Sequence, residues 1–86
     1  MYEIRFASSV EKDVRHLPKD VLRQCLNKIE QLLKVNPFAG EKLKLNREIL
    51  YRYRVRDYRI VYTVNTDLKT VTIYKIRHRR EVYRDL

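Results

Sequence analysis

The chain has 86 residues, 44% of them hydrophobic, and a formal net charge of +9. That length suits one compact domain, 1–86, and the apolar content excludes a disordered tail. No apolar run approaches the roughly 20 residues of a membrane-spanning helix, and Glu3 and Arg5 stand where a signal peptide would be apolar. A cytoplasmic protein without membrane association is expected.

Tyr2 to Phe6 alternates and predicts a first strand. Ser8, Ser9, Val10 and Glu11 have the S-x-x-E spacing of a capping box, and Val10, Val14 and Leu17 then recur at helical spacing. Pro18 suits the first turn of a second helix, where its missing N–H does no harm. Leu22, Cys25, Leu26, Ile29, Leu32 and Leu33 form an apolar stripe, with Lys19, Arg23, Asn27, Glu30 and Lys34 on the other side. Asn36-Pro37 ends that helix. The two segments predict a helical hairpin with one apolar face. Cys25, the only cysteine, reads as a small buried hydrophobe and cannot form an internal disulfide. With two histidines far apart in sequence it matches no zinc spacing, so no metal and no cofactor is expected.

A loop is expected from Phe38 to about Asn46, and three strands after it. In the first, Leu50 to Arg56, Tyr51, Tyr53 and Val55 share one face and Arg52, Arg54 and Arg56 the other. The second, Tyr58 to Val64, puts Tyr58, Ile60, Tyr62 and Val64 on one face and Arg59, Val61 and Thr63 on the other. Asn65-Thr66-Asp67 turns the chain into the third, Thr70 to Arg77. Its alternation slips after Ile73, because Tyr74 and Ile76 are as apolar as Val71 and Ile73. A β-bulge or a strand covered on both faces explains such a slip. The tail from Arg79 to Leu86 suits a short helical turn. The expected architecture is α+β: an N-terminal strand, a helical hairpin, then a three-stranded antiparallel meander, with the helices on one face of the sheet. The face left open carries Arg52, Arg54 and Arg59.

Charge is unevenly spread. Residues 1–41 hold seven Lys/Arg and six Asp/Glu, whereas residues 42–86 hold thirteen and five. A one-sided basic field attracts a polyanion, whose phosphates release counterions on binding. Arginines at period two can grip phosphate in a bidentate manner. Arg52, Arg54, Arg56 and Arg59 supply that pattern, with Lys42, Lys44 and Arg77 as further substrate-binding cations. The ending adds His78, which titrates near neutrality, Arg79, and Tyr83, an aromatic able to stack on an exposed base.

The segment Arg52-Tyr53-Arg54-Val55-Arg56-Asp57-Tyr58-Arg59-Ile60-Val61-Tyr62 and the ending His78-Arg79-Arg80-Glu81-Val82-Tyr83 resemble the RelE-type toxins of toxin–antitoxin modules. The likeness spans essentially the whole chain. It implies a metal-independent endoribonuclease that enters the ribosomal A site, cuts mRNA there and is silenced by a RelB-like antitoxin. In that chemistry the ribose 2′-oxygen attacks the adjacent phosphorus, so a base, cations and an acid are needed. By position, the resemblance puts Arg52 and Arg54 where relatives have lysines. Arg59 matches an arginine that grips phosphate, Arg79 the arginine near the leaving group, and Tyr83 the tyrosine that orients substrate. An arginine stays protonated, so the base is open. His78 is one candidate. Glu41 is another, because YoeB-like relatives have a glutamate in the loop before the second strand. A site without a strong base, relying on alignment by the ribosome, is the third. Two other functions share these features: a ParE-like inhibitor of DNA gyrase, and a non-catalytic RNA- or ribosome-binding module.

Overall fold

Period-two runs of β-branched and aromatic residues build a five-stranded sheet in the computed structural model, which describes residues 1–81. The strands are β1 (Glu3–Phe6), β2 (Glu41–Leu45), β3 (Glu48–Val55), β4 (Tyr58–Asn65) and β5 (Thr70–His78). Their spatial order is β1-β5-β4-β3-β2, with β1 parallel to β5 and every other pair antiparallel. Helices α1 (Ser8–Arg15) and α2 (Lys19–Lys28) lie between β1 and β2 in the chain and pack on one face of the sheet. The α+β class and the meander β3-β4-β5 are as expected. The loop expected from Phe38 to about Asn46 is instead a 3-10 turn, Pro37–Ala39, followed by β2. Residues Glu41-Lys42-Leu43-Lys44-Leu45 alternate polar and apolar, and pairing with β3 satisfies their backbone.

The core joins Val10, Val21, Cys25, Ile29 and Leu33 of the helical layer to Tyr51, Val55, Ile60, Tyr62, Val71, Ile73 and Ile76 of the sheet. Each such aliphatic side chain, fully buried, contributes about 1.5–3 kcal/mol. The buried stripe of α2 runs through Val21 rather than Leu22. Leu22 and Leu32 are half-buried and Leu26 is 41% exposed. Four-residue steps overshoot a 3.6-residue turn by about 40° each. The wider π-type turn Ile29–Leu33, which continues α2, turns the stripe back toward the sheet.

Two local expectations are corrected. Ser8 lies inside α1, whose flanking residue Ala7 makes no side-chain cap. Pro18 flanks α2 just before Lys19, and its carbonyl accepts the Leu22 N–H at 2.9 Å. The serines have another use. β1 pairs with β5 only as far as Ile73, and α1 covers the edge beyond it. Ser9 Oγ donates to the Tyr74 carbonyl at 2.9 Å, and the Ile76 N–H donates to Asp13 Oδ2 at 3.1 Å. A helix thereby closes an edge that would otherwise be open to pairing.

The slip in β5 is a β-bulge. Val61 faces Lys75 and Tyr62 faces Ile73, which leaves Tyr74 as the extra residue. The bulge reverses parity along β5. Ile76 and His78 join the inner row of Ile60 and Tyr58, and Lys75 and Arg77 pair with Val61 and Arg59 on the open face. After β5, residues 79–81 are helical, and the Arg79 N–H donates to the Asp57 carbonyl at 2.8 Å. The rest of the expected helical tail lies outside the described residues. Among those described, no helix is long and apolar enough to cross a membrane.

Candidate active site

Directly paired residues of neighbouring strands share a face. Two rows of the open face follow from the register. One is Glu41–Arg52–Val61–Lys75, across β2, β3, β4 and β5; the other is Arg54–Arg59–Arg77, across β3, β4 and β5. β2 stops pairing at Glu41, and β3 runs on through Tyr53, Arg54 and Val55. That overhang leaves a notch at the corner of the sheet, an open cleft of about 480 Å³. Glu41, Arg52, Arg54 and Arg59 line it together with Ala39, Gly40 and Tyr53.

Within the cleft, Arg52 Nη2 donates to Glu41 Oε2 at 2.7 Å. Arg54 and Arg59 sit side by side, and like charges directly opposite repel. Backbone carbonyls of the β3–β4 turn hold them. Arg54 Nε and Arg59 Nη1 each point to the Arg56 carbonyl at 3.4 Å, and Arg59 Nη1 also donates to the Tyr58 carbonyl at 3.1 Å. Arg59 is only 8% exposed. Among the described residues, neither Arg54 nor Arg59 has a carboxylate partner. Two adjacent guanidinium groups, one of them buried, form a site where a dianionic or bridging phosphate supplies the missing countercharge.

The cleft rim is fixed from below. The Tyr62 hydroxyl donates to the Pro37 carbonyl at 2.7 Å and accepts the Gly40 N–H at 3.1 Å. Burial pushes the Tyr62 phenol up to about 12, so it remains protonated and able to donate. A Cβ on Gly40 would lie 2.5 Å from that hydroxyl and 2.9 Å from the Arg52 carbonyl. The only glycine of the chain therefore occupies the one position where β2 departs from its partner at close approach. Tyr51 stacks on Tyr62 at 5.6 Å, and Phe38 meets Tyr51 edge-on at 5.7 Å, which ties the turn before β2 to the core.

The other expected site residues are placed as follows. Arg56 is not on the arginine face. It sits in the β3–β4 turn with a left-handed backbone (φ 56°), and its Nη1 meets Asp20 Oδ2 of α2 at 2.8 Å. That hydrogen bond holds the Asp20 carboxyl below its ordinary range. Arg77 is on the open face, with Nε 3.1 Å from Asp13 Oδ1. Lys42 and Lys44 pair with Tyr51 and Ile49, so they stand on the opposite face from Arg52. His78 is also on that opposite face. It meets the Tyr58 ring edge-on at 5.4 Å, and its Nδ1 accepts the Arg80 N–H at 3.3 Å. With His16, Asp13 and Glu81 it lines a separate pocket of about 190 Å³. The exposed Arg79 follows at the start of the helical turn, and Tyr83 lies outside the described residues. The expected guanidinium cluster thus forms, without His78.

Lys75, which sequence reasoning overlooked, is a titratable group of the open face. Burial, followed by the Arg77 charge, lowers its pKa from the ordinary value of 10.5. The bulge at Tyr74, legible in the sequence, was the available signal, because it reverses the parity of everything after it. Cys25 is buried and its thiol is pushed up to about 11, which removes it from nucleophilic chemistry. Among the described residues, no three His, Cys, Asp or Glu side chains converge so as to hold a metal ion.

The family described as ParE toxin of type II toxin–antitoxin system, parDE, matches residues 4–83. The chain is 31% identical to the putative toxin RelE1 of Methanocaldococcus jannaschii, across 98% of this chain and 97% of that protein. Among solved structures, it is similar to the archaeal RelE–RelB complex from Pyrococcus horikoshii, with a TM-score of 0.76 and 31% identity over 91% of this chain and 94% of that one. It shares its fold with the toxin–antitoxin complex RelBE2 from Mycobacterium tuberculosis, with a TM-score of 0.82 and 24% identity over 90% of this chain and 96% of that one. These matches run nearly end to end over the strands that build the arginine cleft, and the chain accordingly belongs to the RelE/ParE superfamily of type II toxin–antitoxin toxins.

Proposed function

We propose that the chain is a ribosome-dependent endoribonuclease that cuts mRNA in the A site. The observation that carries this reading is the Arg54–Arg59 pair, two guanidinium groups without a carboxylate partner among the described residues, in a cleft that also holds the Glu41–Arg52 ion pair. Phosphodiester cleavage by the adjacent 2′-hydroxyl adds negative charge at phosphorus. Cations fixed beforehand stabilise that charge without reorganising. Arg54 and Arg59 grip the scissile phosphate, and Arg52 holds the Glu41 carboxylate toward it. Glu41 takes the 2′-hydroxyl proton, a role for which His78 stands on the wrong face. The products are a 2′,3′-cyclic phosphate and a 5′-hydroxyl. The ribosome supplies alignment of the attacking oxygen, which can contribute much of the rate. No metal takes part in this scheme. A RelB-like antitoxin, as in the complexes of its structural relatives, silences the toxin in the cytoplasm.

The test is cleavage of mRNA on stalled ribosomes by the purified chain. Cuts inside the A-site codon that vanish with Arg59→Ala support the reading. RNA that binds but stays intact would make the chain a binding module. The match to a ParE family favours one second reading, inhibition of DNA gyrase. A supercoiling assay with purified gyrase separates the two, because an RNA-cleaving toxin leaves gyrase active.

A further inference from the structure

Cleavage with Glu41 as the base still needs a proton for the leaving 5′-oxygen. Arg52, Arg54, Arg59 and Arg77 keep their protons at any working pH. Within the two rows that cross the open face, only Glu41 and Lys75 can change charge, and they stand at opposite ends of one row. Strands lie about 4.8 Å apart, so Lys75 is roughly 10 Å from Arg52 across the sheet, with only Val61 between them. A lysine and an arginine side chain together span that gap. Val61 is 2% exposed although it faces away from the core, so its neighbours close over it. On its other side Lys75 neighbours Arg77, which pairs directly with Arg59 of the cleft.

We infer that Lys75 is a further catalytic residue, the general acid that protonates the 5′-oxygen as it leaves; this rests on the endoribonuclease reading. The bulge is what makes the arrangement possible. Without the extra residue Tyr74, Lys75 would turn to the inner face and meet the core. In the step itself, the 2′-oxygen forms a bond to phosphorus as the P–O5′ bond breaks. The electron pair stays on the 5′-oxygen, which takes a proton from Nζ, and Glu41 holds the proton released by the 2′-hydroxyl. The lowered pKa of Lys75 makes its proton easier to give than that of an ordinary lysine. Burial is the main cause, and Arg77 on the same strand adds to it, against the opposing pull of Asp13 on α1.

The experiment compares two mRNAs on the same ribosomal complex, one with the natural 5′-oxygen at the scissile linkage and one with a bridging 5′-sulfur there. Sulfur leaves without a proton. Lys75→Arg keeps the charge and the reach but cannot give up a proton, and Lys75→Met removes both. Both variants should cut the oxygen substrate about 100-fold more slowly in single turnover, with KM unchanged. Both should cut the sulfur substrate within about threefold of the unmodified chain. Equal loss on the two substrates, or no loss on oxygen, overturns the assignment. If the unmodified chain cuts neither substrate, the endoribonuclease reading itself falls and takes this assignment with it.

Discussion

The latch beneath the cleft gives a prediction whose size can be worked from distances. Gly40 has φ −78° and ψ 169°, a conformation open to any residue, so its need for glycine is steric. In Gly40→Ala the new methyl group meets the Tyr62 hydroxyl at 2.5 Å and the Arg52 carbonyl at 2.9 Å. Overpacking of this kind costs about 1–3 kcal/mol. Loss of chain entropy in the unfolded state returns about 0.4–1 kcal/mol. A net loss of roughly 1–2 kcal/mol remains, worth about 4–8 °C in Tm for each kcal/mol in a domain of this size. Tyr62→Phe removes the hydroxyl and leaves the Gly40 N–H and the Pro37 carbonyl without that partner. It should cost about 1–3 kcal/mol. The double variant is the decisive case, because the alanine methyl then meets only the Arg52 carbonyl. Urea unfolding of the four proteins should show coupling of about 1 kcal/mol, with Gly40→Ala milder when Tyr62→Phe is already present. Equal cost of Gly40→Ala with and without Tyr62→Phe would refute the reasoning.

Other outcomes follow from individual contacts. Asp13→Ala strips the partner from the Ile76 N–H and from Arg77, and should cost about 2–3 kcal/mol in denaturant unfolding. Cys25, with its thiol at about 11 and its side chain buried, should react with a thiol reagent at pH 8 only after unfolding, on the time course of the loss of circular dichroism. Asp20 is depressed in the folded state by Arg56, so its contribution is present above its ordinary value of 3.8 and disappears as pH falls through the lower folded value. The stability gap between the unmodified chain and Asp20→Asn should therefore close on the acid side. Arg54→Ala or Arg59→Ala should reduce the slope of log affinity for single-stranded RNA against log salt by about 0.7, the share of one phosphate contact.

The meander was legible because its strands alternate without interruption and their turns are short. β2 was not read as a strand, although Leu43 and Leu45 alternate with Lys42 and Lys44, because the weight of charge there looks like a loop. The missing strand matters for the site. It turns Lys42 and Lys44 away from the arginines and makes Glu41 the end of the row that contains Arg52. The bulge was readable at Tyr74, but its effect on parity was not carried forward, and so His78 was expected beside the arginines and Lys75 was passed over. Arg56 has the right spacing for the arginine face. A two-residue connection between Val55 and Tyr58 lifts it out of the strand, and Asp20, distant in sequence, then captures it. Such tertiary pairs leave no periodic trace. On α2, one residue separates the expected stripe from the observed one, since a π-type turn changes the phase of the helix without any proline or glycine to mark it.

The most direct measurement maps RNA ends at single-nucleotide resolution after the purified chain is added to ribosomes stalled with an open A site. New 5′-hydroxyl ends within the A-site codon, present with the unmodified chain and absent with Arg54→Ala or Arg59→Ala, are the predicted result. Intact mRNA at that codon, from a chain that is folded and binds its antitoxin, would contradict the account.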